Sequence, residues 1–317
     1  MSYIILIIGF VLLIKGADIF VSGASSIAKI FNVPSLIIGL TIVAFGTSAP
    51  EAAVSISAAL VGNNDMAIAN VVGSNIFNLL FVGGVAAMIH PLAVQKSTIL
   101  KEFPFAVLAS LVLIILAHDV KLQGYSQNLL TRADGLMLLA LFAIFVYYLF
   151  DVALSSKEVK EEGQNQQKIS IRKSVLMSVV GIIGIIIGGQ MVVNGASDIA
   201  LSWGMSQNLV GLTIVSIGTS LPEFMTSVIA ARKGENDIAI GNIVGSNIFN
   251  ILFILGLSAT IHPIGVQAIV LLDMVIMLIV TIVAYLLSAT KKTVSKPEGV
   301  LLTAMYIVYM IFIIIRK

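Results

Sequence analysis

The sequence predicts an all-α polytopic membrane protein in which ten transmembrane helices form two inverted-topology repeats of five helices each. Two observations lead to this fold class: the composition, and an internal repeat whose two copies carry basic residues on opposite loops. Of 317 residues, 58% are hydrophobic and 11% are charged, whereas soluble domains carry about 25% charged residues. So little charge does not cover a water-facing surface, which excludes a soluble enzyme and a disordered chain.

Charge and cysteine content exclude further classes of protein. The formal net charge is +2, and Lys and Arg are not clustered as nucleic-acid binding requires, so we expect no nucleic-acid partner. The chain has no Cys and three His, which excludes disulfides, thiolate metal sites and a His-rich metal site. We therefore expect no resident cofactor, and the lipid bilayer as the surrounding medium.

Apolar stretches long enough to cross about 30 Å of hydrocarbon recur along the chain. They lie at residues 3–29, 35–60, 66–89, 103–118, 134–150, 174–200, 208–231, 237–260, 265–288 and 299–315. The long polar stretch 151–173 is a charged linker that is too short to be a folded domain. We predict a first five-helix repeat over 1–150, this linker, and a second five-helix repeat over 174–317.

The distribution of Lys and Arg predicts the orientation of the chain in the membrane. With the N-terminus outside, most of the 18 Lys and Arg residues fall on the cytoplasmic side, among them Lys29, Lys96 and Lys173. We therefore predict a multi-pass protein of the cell membrane with both termini extracytoplasmic and the linker 151–173 cytoplasmic.

A gapless internal repeat relates the two halves of the chain. The offset that carries 39–91 onto 211–263 leaves more than half of the aligned positions identical. Each copy contains Gly-Thr-Ser-X-Pro-Glu followed by Gly-Ser-Asn-Ile-Phe-Asn. Shared apolar composition does not produce gapless identity at Pro, Glu, Asn and His, so the two halves are copies of one unit.

Basic residues in equivalent loops indicate that the two copies are inverted. Leu60-Val61 of the first copy corresponds to Arg232-Lys233 of the second, whereas Lys29 corresponds to Leu201. Each basic residue lies on the copy that faces the cytoplasm, as expected when five spans per half reverse the second copy. Inverted-topology repeats are typical of secondary transporters.

Two acidic residues, Glu51 and Glu223, lie well inside predicted spans and at equivalent positions of the repeat. A charged side chain at the bilayer centre costs roughly 2.5–3.5 kcal/mol on insertion scales, so two such residues in identical motifs predict a functional site. Pro50 and Pro222 lack an N–H and crowd the preceding turn, so we expect each helix to be broken beside its Glu.

Further oxygen-bearing side chains accompany each Glu. Hydroxyl groups precede it within the same motif, and a polar stripe at i, i+4 and i+8 shares one helix face on the third and eighth spans. The hydroxyl residues are Thr47, Ser48, Thr219 and Ser220, and the stripes are Asn70, Ser74 and Asn78, and Asn242, Ser246 and Asn250. Carboxylate, hydroxyl and amide oxygens are hard ligands that suit Na⁺ and Ca²⁺ rather than soft transition metals.

Three polar positions in the spans have other predicted roles. Asn75 and Asn247 point away from the stripes, and we predict that they are interhelical contacts. Asp18 lies in the first span opposite Gln190 of the repeat, and either lines an ion path or lies near an interface.

The paired motifs resemble those of the cation/Ca²⁺ exchanger superfamily, most closely the prokaryotic sodium/calcium exchangers, with similarity also to the potassium-dependent branch. The resemblance extends over essentially the whole chain. It implies a core made of spans 2, 3, 7 and 8, with spans 1 and 6 sliding across it to alternate access. The cation ligands that it implies are Glu51, Glu223, Thr47, Ser48, Thr219, Ser220, Ser74, Ser246, Asn78, Asn250 and the carbonyls of Ala44 and Ser216.

One departure from the family's pattern keeps an alternative open. Sodium/calcium and potassium-dependent exchangers commonly carry Asp at the position of Asn250, and here both halves have Asn. Two formal negative charges remain in the core, which one Ca²⁺ or two Na⁺ would neutralise. The sequence therefore predicts a Na⁺/Ca²⁺ antiporter, with a Ca²⁺/H⁺ antiporter of the same superfamily as the alternative and K⁺ as a further candidate ion.

Two other classes are disfavoured. An intramembrane enzyme would need a catalytic group besides the two Glu, and no His lies in the middle of a span. A cation channel would pass ions without counter-ion exchange. Since all the predicted ligands lie in one chain, a monomer suffices for transport.

Overall fold

The computed structural model describes residues 2–62, 64–155, 170–205 and 216–316. The helices of the first half are α1 (Ser2–Phe31), α2 (Ser35–Ile38, a π-helical turn at Gly39–Val43, and Ala44–Thr47), α3 (Ala49–Leu60), α4 (Asn64–Phe77, a π-helical turn at Asn78–Val82, and Gly83–Ile89), α5 (a π-helical turn at Thr98–Glu102 and then Phe103–Leu116), α6 (Asp119–Gln123) and α7 (Arg132–Ser155). The helices of the second half are α8 (Ile171–Ser202), α9 (Ser216–Thr219), α10 (Leu221–Arg232), α11 (Asn236–Phe249, a π-helical turn at Asn250–Leu255, and Gly256–Ile261), α12 (Ala268–Lys291) and α13 (Lys296–Arg316).

The described residues contain eight helices that are long and apolar enough to cross a membrane, and the pair α2 and α3, bent by 50°, provides a ninth. These nine coincide with nine of the ten predicted spans. The other predicted span, 208–231, begins outside the described residues, and α9 and α10 are the part of it that the structure describes. The prediction of a helical polytopic membrane protein is confirmed.

Some helices extend beyond the predicted spans because they continue from apolar residues into polar ones. The helix α7 runs to Ser155 and α8 begins at Ile171, so the predicted linker 151–173 is helical at both of its ends. Its residues 156–169 lie outside the described part of the chain. Likewise α5 begins at Thr98, before the predicted start at residue 103, with a π-helical turn.

The helices α4 and α11 form the centre of the bundle. In their most apolar stretches, 72% of residues in α4 and 94% in α11 are buried, against 17% in α7 and α13. The peripheral helices therefore present apolar side chains to lipid, whereas the polar side chains of α4 and α11 are enclosed by protein, as expected for functional polar groups in a membrane.

The first helices of the two halves, α1 and α8, pack against each other as a close antiparallel pair. A Cβ on Gly16 would lie 2.7 Å from the backbone N of Ile185, and one on Gly188 would lie 2.5 Å from the backbone N of Leu13. Glycine allows this backbone approach, which drives helix association in membranes through van der Waals contact. With 30 and 32 residues, the two helices are about 45–48 Å long and must tilt to fit the bilayer.

A second close crossing joins α2 of the first half to α11 of the second. A Cβ on Gly241 would lie 2.8 Å from the carbonyl O of Leu36 and 2.9 Å from the Cα of Gly39. This contact brings the break after α2 next to the polar stripe of α11, so each half supplies part of one central site.

Two short antiparallel strand pairs also connect the halves. Strand β1 (Leu92–Ala93) pairs with β4 (Thr293–Val294), and β2 (Leu129–Leu130) pairs with β3 (Ile264–Gly265). Each pair joins a loop of one half to a loop of the other.

Candidate cation site

Each predicted Glu lies in the first turn of a helix that follows a break. Ser48 separates α2 from α3 with φ −81° and ψ 7°, and Ser220 separates α9 from α10 with φ −89° and ψ 5°. Pro50 and Pro222 are the second residues of α3 and α10, in the first turn, where a missing N–H costs no helical hydrogen bond. The predicted breaks are therefore present in both halves with the same local geometry.

The two Glu side chains are fully buried, at 0% exposure, and each accepts a hydrogen bond from the opposite half. Ser48 Oγ donates to Glu223 Oε1 at 2.7 Å, and Ser220 Oγ donates to Glu51 Oε1 at 2.8 Å. This exchange of partners brings the two motifs together at one point. The helix N-termini of α3 and α10 add a favourable field for negative charge.

The second oxygen of each carboxylate is available to a ligand. Within the described part of the chain, Glu51 Oε2 and Glu223 Oε2 are buried and have no hydrogen-bond partner. A buried polar atom without a partner costs about 1–3 kcal/mol, and more when it is charged. Two such carboxylate oxygens at one crossing point are suited to a cation.

Neutral oxygens on α4 and α11 lie in the same region. The hydroxyl oxygens of Ser74 and Ser220 are 3.0 Å apart. Among the residues that the structure describes, Ser246 Oγ, Asn250 Oδ1 and both amide atoms of Asn78 are buried without a hydrogen-bond partner. Buried polar atoms are rarely left unpaired, so these atoms also point to a bound ligand.

The remaining stripe residues tie the helices together. Thr47 Oγ1 donates to Asn242 Oδ1 at 2.9 Å, and Asn242 Nδ2 donates to Ser227 Oγ at 2.8 Å. The equivalent bonds run from Thr219 Oγ1 to Asn70 Oδ1 at 3.4 Å and from Asn70 Nδ2 to Ser55 Oγ at 3.0 Å. Asn70 and Asn242 are therefore bridges between halves.

Ser55 and Ser227 are not among the predicted site residues, although the sequence carries a signal for them. Ser55 lies four positions after Glu51 and Ser227 four positions after Glu223, so the two serines are equivalent in the repeat. This spacing puts the hydroxyl on the helix face of the Glu, where the structure places the amide of Asn70 or Asn242.

The predicted ligand set includes the backbone carbonyls of Ala44 and Ser216, and the structure describes the surroundings of the first in more detail than those of the second. The carbonyl O of Ala44 accepts hydrogen bonds from Ser48 N at 3.0 Å and from Thr47 Oγ1 at 3.3 Å. Ser216 begins α9, and its side chain lies outside the described part of the structure. Geometry therefore supports the side-chain oxygens more strongly than these carbonyls.

Asp18 lies at a helix interface near one end of the bundle. Lys233 Nζ is 2.9 Å from Asp18 Oδ1, and it donates to Asp18 O at 2.7 Å and to Ser22 Oγ at 2.6 Å. Beside it, Ser25 Oγ donates to Glu235 Oε1 at 2.5 Å. These contacts, which we call the α1 latch (Asp18, Ser22, Ser25, Lys233 and Glu235), hold α1 against the connection between α10 and α11.

A cavity lies beside the site in the other direction from the α1 latch. A cavity of about 300 Å³ is bounded by α3, α8 and the α9–α10 break, and its lining includes Pro50, Ala53, Gln190, Thr219 and Pro222. Gln190 is the repeat equivalent of Asp18. The two halves therefore have different arrangements at equivalent positions: Asp18 is clamped by Lys233, whereas Gln190 borders a cavity.

The donor set fits a cation that binds and leaves. Among the described residues, no group of three or more His, Cys, Asp and Glu side chains is gathered as in a resident metal centre. Two carboxylates with neutral hydroxyl and amide oxygens instead make an oxygen site of low charge, and fewer charged ligands mean weaker Ca²⁺ binding.

Comparison with known proteins agrees with this site. The sequence profile described as sodium/calcium exchanger protein matches residues 1–150 and 173–315. The chain belongs to this family. Among the relatives of this exchanger-family chain, CaxA of Alkalimonas amylolytica is 40% identical over 315 residues, covering 96% of each chain. The sodium/calcium exchanger MaX1 of Methanosarcina acetivorans is 32% identical, covering 98% of this chain and 97% of its own.

The fold is also that of a solved exchanger. The sodium-calcium exchanger NCX_Mj, in crystals soaked with Na⁺ and Sr²⁺, matches with a TM-score of 0.84 and 30% identity, covering 98% of this chain and 97% of its own. The resemblance inferred from the paired motifs is confirmed.

Proposed function

We propose that this protein is a secondary active antiporter, and not an enzyme, that exchanges Na⁺ for Ca²⁺ across the cell membrane. The observation that carries the proposal is the pair Glu51 and Glu223, each fully buried with one carboxylate oxygen unpartnered among the described residues. Hard oxygen ligands suit both ions, and the family and the named exchangers among the relatives support this choice of ions.

Shared ligands supply the coupling. If Ca²⁺ and Na⁺ use the same carboxylate oxygens, the two cannot occupy the site together, so the transporter carries one or the other across. The proposed ligands are Glu51, Glu223, Ser48, Ser220, Ser74, Ser246, Asn78 and Asn250, with Thr47, Thr219 and the carbonyls of Ala44 and Ser216 as additional contributors.

The proposed architecture is ten spans in two inverted repeats, with both termini outside and the linker 151–173 inside. Ser48 and Ser220 have the same backbone geometry, and the bond from Ser48 to Glu223 has its equivalent in the bond from Ser220 to Glu51. Both observations support the repeat. In this orientation the cavity beside Gln190 opens to the outside, and the α1 latch closes the cytoplasmic end. Access from one side at a time is what alternating access requires.

The driving ion is tested with purified protein in proteoliposomes. Radiolabelled Ca²⁺ uptake is measured under an outward Na⁺ gradient, a K⁺ gradient and a pH gradient, each imposed alone. We expect uptake only with Na⁺. Uptake driven by the pH gradient and not by Na⁺ would instead assign a Ca²⁺/H⁺ antiporter, and uptake without any counter-ion would indicate a channel.

The α1 latch predicts a measurable shift between conformations. Asp18→Asn should weaken the contact with Lys233 and lower the ratio of this conformation to its opposite by up to about fivefold, since a partly exposed ion pair contributes about 1 kcal/mol or less. The side chains of Lys233 and Asp18 are 28% and 53% exposed, which keeps the expected effect at this size. Thr226 is 0% exposed in this conformation. It is the repeat equivalent of Val54, which lines the cavity, so the opposite conformation should expose Thr226.

The chain has no Cys, so Thr226→Cys is a single reporter for that state. Its maleimide labelling rate should rise by about the same factor in the Asp18→Asn background. Asp198→Asn is the matched control, because Asp198 accepts from Ser2 Oγ at 3.2 Å at the other end of the α1–α8 pair. An unchanged or lower labelling rate with Asp18→Asn would contradict a latch.

A further inference from the structure

Two asparagines outside the predicted ligand set form a reciprocal contact at the centre of the bundle. Asn75 Nδ2 on α4 donates to the backbone O of Asn247 at 3.2 Å, and Asn247 Nδ2 on α11 donates to the backbone O of Asn75 at 3.1 Å. Both side chains are buried, with 0% and 3% exposure. This confirms their prediction as interhelical contacts, but it leaves both side-chain oxygens directed elsewhere.

The hydrogen bonds determine which atom each amide presents. A carboxamide has two faces of similar shape, one that donates through NH₂ and one that accepts through O. A backbone carbonyl only accepts, so the NH₂ of Asn75 must face Asn247 O, and its Oδ1 must face the other way. Asn250 Nδ2 donates to that oxygen at 3.0 Å, because only its NH₂ is compatible with an acceptor.

The orientation of Asn250 follows from this chain of contacts. Since its NH₂ is held by Asn75, its Oδ1 is turned away, and that oxygen is buried and unpartnered within the described residues. An NH₂ group carries positive charge on its hydrogens and would repel a cation, whereas the oxygen attracts one. If the amide of Asn250 were reversed, its oxygen would face Asn75 Oδ1. If the amide of Asn75 were reversed, its NH₂ would face the NH₂ of Asn250.

We propose that Asn75 is a positioning residue for cation binding, which holds the oxygen of Asn250 toward the ion, and that Asn247 has the same role for Asn78. This inference rests on the proposed function and adds to it the device that orients its amide ligands. The equivalent bond from Asn78 to Asn247 is not formed in this conformation, because Asn247 Oδ1 and both amide atoms of Asn78 have no partner among the described residues. Asn250 is therefore pre-oriented, whereas Asn78 acquires its orientation when its NH₂ reaches Asn247 Oδ1.

The repeat explains why the contact is reciprocal. Asn75 and Asn247 are equivalent positions, as are Asn78 and Asn250, so each half supplies one positioning amide and one ligand amide. Because each positioning amide acts on the ligand of the other half, both helices must be in place before either ligand is oriented.

The test compares Asn75→Leu in two backgrounds. The Leu side chain is similar in size to Asn but neither donates nor accepts a hydrogen bond, so the amide of Asn250 loses the acceptor that orients it. With Asn at position 250, we expect the KM for Ca²⁺ to rise about tenfold, as expected from one lost hydrogen bond, with kcat nearly unchanged. In the Asn250→Asp background we expect no loss of affinity relative to Asn250→Asp alone, because a carboxylate presents oxygen in either orientation and Asn75→Leu also removes the oxygen that would face it.

Ca²⁺ binding without transport is read from the increase in melting temperature of purified protein on adding CaCl₂. Equal losses of affinity with Asn at position 250 and in the Asn250→Asp background would overturn the inference and leave Asn75 as a packing residue only, and so would no loss in either background. If Asn75→Leu does not fold, Asn75→Ala is compared in the same way.

The unsubstituted protein distinguishes a failure of the proposed function from a failure of the positioning role. If it takes up no Ca²⁺ under any gradient, the proposed function fails. If it exchanges Na⁺ for Ca²⁺ and the two backgrounds respond alike, only the positioning role fails.

Discussion

Replacing Glu51 or Glu223 by Gln is expected to reduce Na⁺-driven Ca²⁺ uptake at least 100-fold. Each carboxylate is fully buried, so with a cation bound it is one partner of a buried ion pair. Removing one partner of such a pair costs about 3–5 kcal/mol, where 1.4 kcal/mol is tenfold. The fold should remain, because the amide oxygen of Gln still accepts the hydrogen bond that Ser220 or Ser48 now donates. Uptake of radiolabelled Ca²⁺ into proteoliposomes gives the measurement.

A third buried glutamate provides the control for this prediction. Glu102 on α5 is 1% exposed and accepts a hydrogen bond from the hydroxyl of Tyr148, but it lies outside the crossing of the two motifs. Glu102→Gln should therefore keep uptake within about twofold of the unsubstituted protein, since an isolated substitution away from the site leaves the ligands in place. Undiminished uptake by folded Glu51→Gln protein would contradict the assignment of the site.

Gly188→Ala is expected to lower the stability of the folded protein by about 1–3 kcal/mol or more, the usual cost of overpacking. A Cβ at this position would lie 2.5 Å from the backbone N of Leu13 and 2.8 Å from the carbonyl O of Gly9. Backbone atoms do not move aside as a flexible side chain does, so α1 and α8 would have to separate. Thermal unfolding of the purified protein in detergent measures the loss.

The same helix supplies a matched control. Gly184 lies one turn before Gly188, and a Cβ there would approach no closer than 3.3 Å, to the Cα of Gly16. Gly184→Ala should destabilise clearly less than Gly188→Ala, because this Cβ requires a shift of only a few tenths of an ångström and Ala is favoured over Gly in a helix by roughly 0.5–1 kcal/mol. Equal destabilisation by both substitutions would show that the close α1–α8 contact does not set the stability.

Sequence pattern alone predicts most of the helices of this protein and singles out the two carboxylates that the structure buries at its helix breaks. Length and hydropathy locate the spans because a helix needs about 20 apolar residues to cross hydrocarbon, and nine of the ten predicted spans coincide with described helices. The position of Pro one residue before each Glu predicts the helix breaks, since proline chemistry is local. Helix ends were less predictable: α7 and α8 continue into polar sequence where no local residue stops them.

Partners across the two halves could not be predicted in this way. The sequence places Ser48 in the motif of Glu51, but Ser48 donates to Glu223, and Asp18 pairs with Lys233 far along the chain. Periodicity describes one helix at a time, and it contains no information on which helix will cross which. Close glycine contacts between α1 and α8, and between α2 and α11, are likewise visible only in the packed structure.

The sequence by itself determined that this protein is a membrane protein of two related halves, and it predicted Glu51 and Glu223 as the acids of a cation site. Those conclusions depend on composition, local backbone chemistry and the cost of charge in hydrocarbon, all of which are properties of single residues or short segments. The tertiary structure alone decided that each half completes the other: Ser48 serves Glu223, Ser220 serves Glu51, and Asn75 faces Asn250. These contacts form between helices distant in sequence, so only the packing of the helices could reveal them.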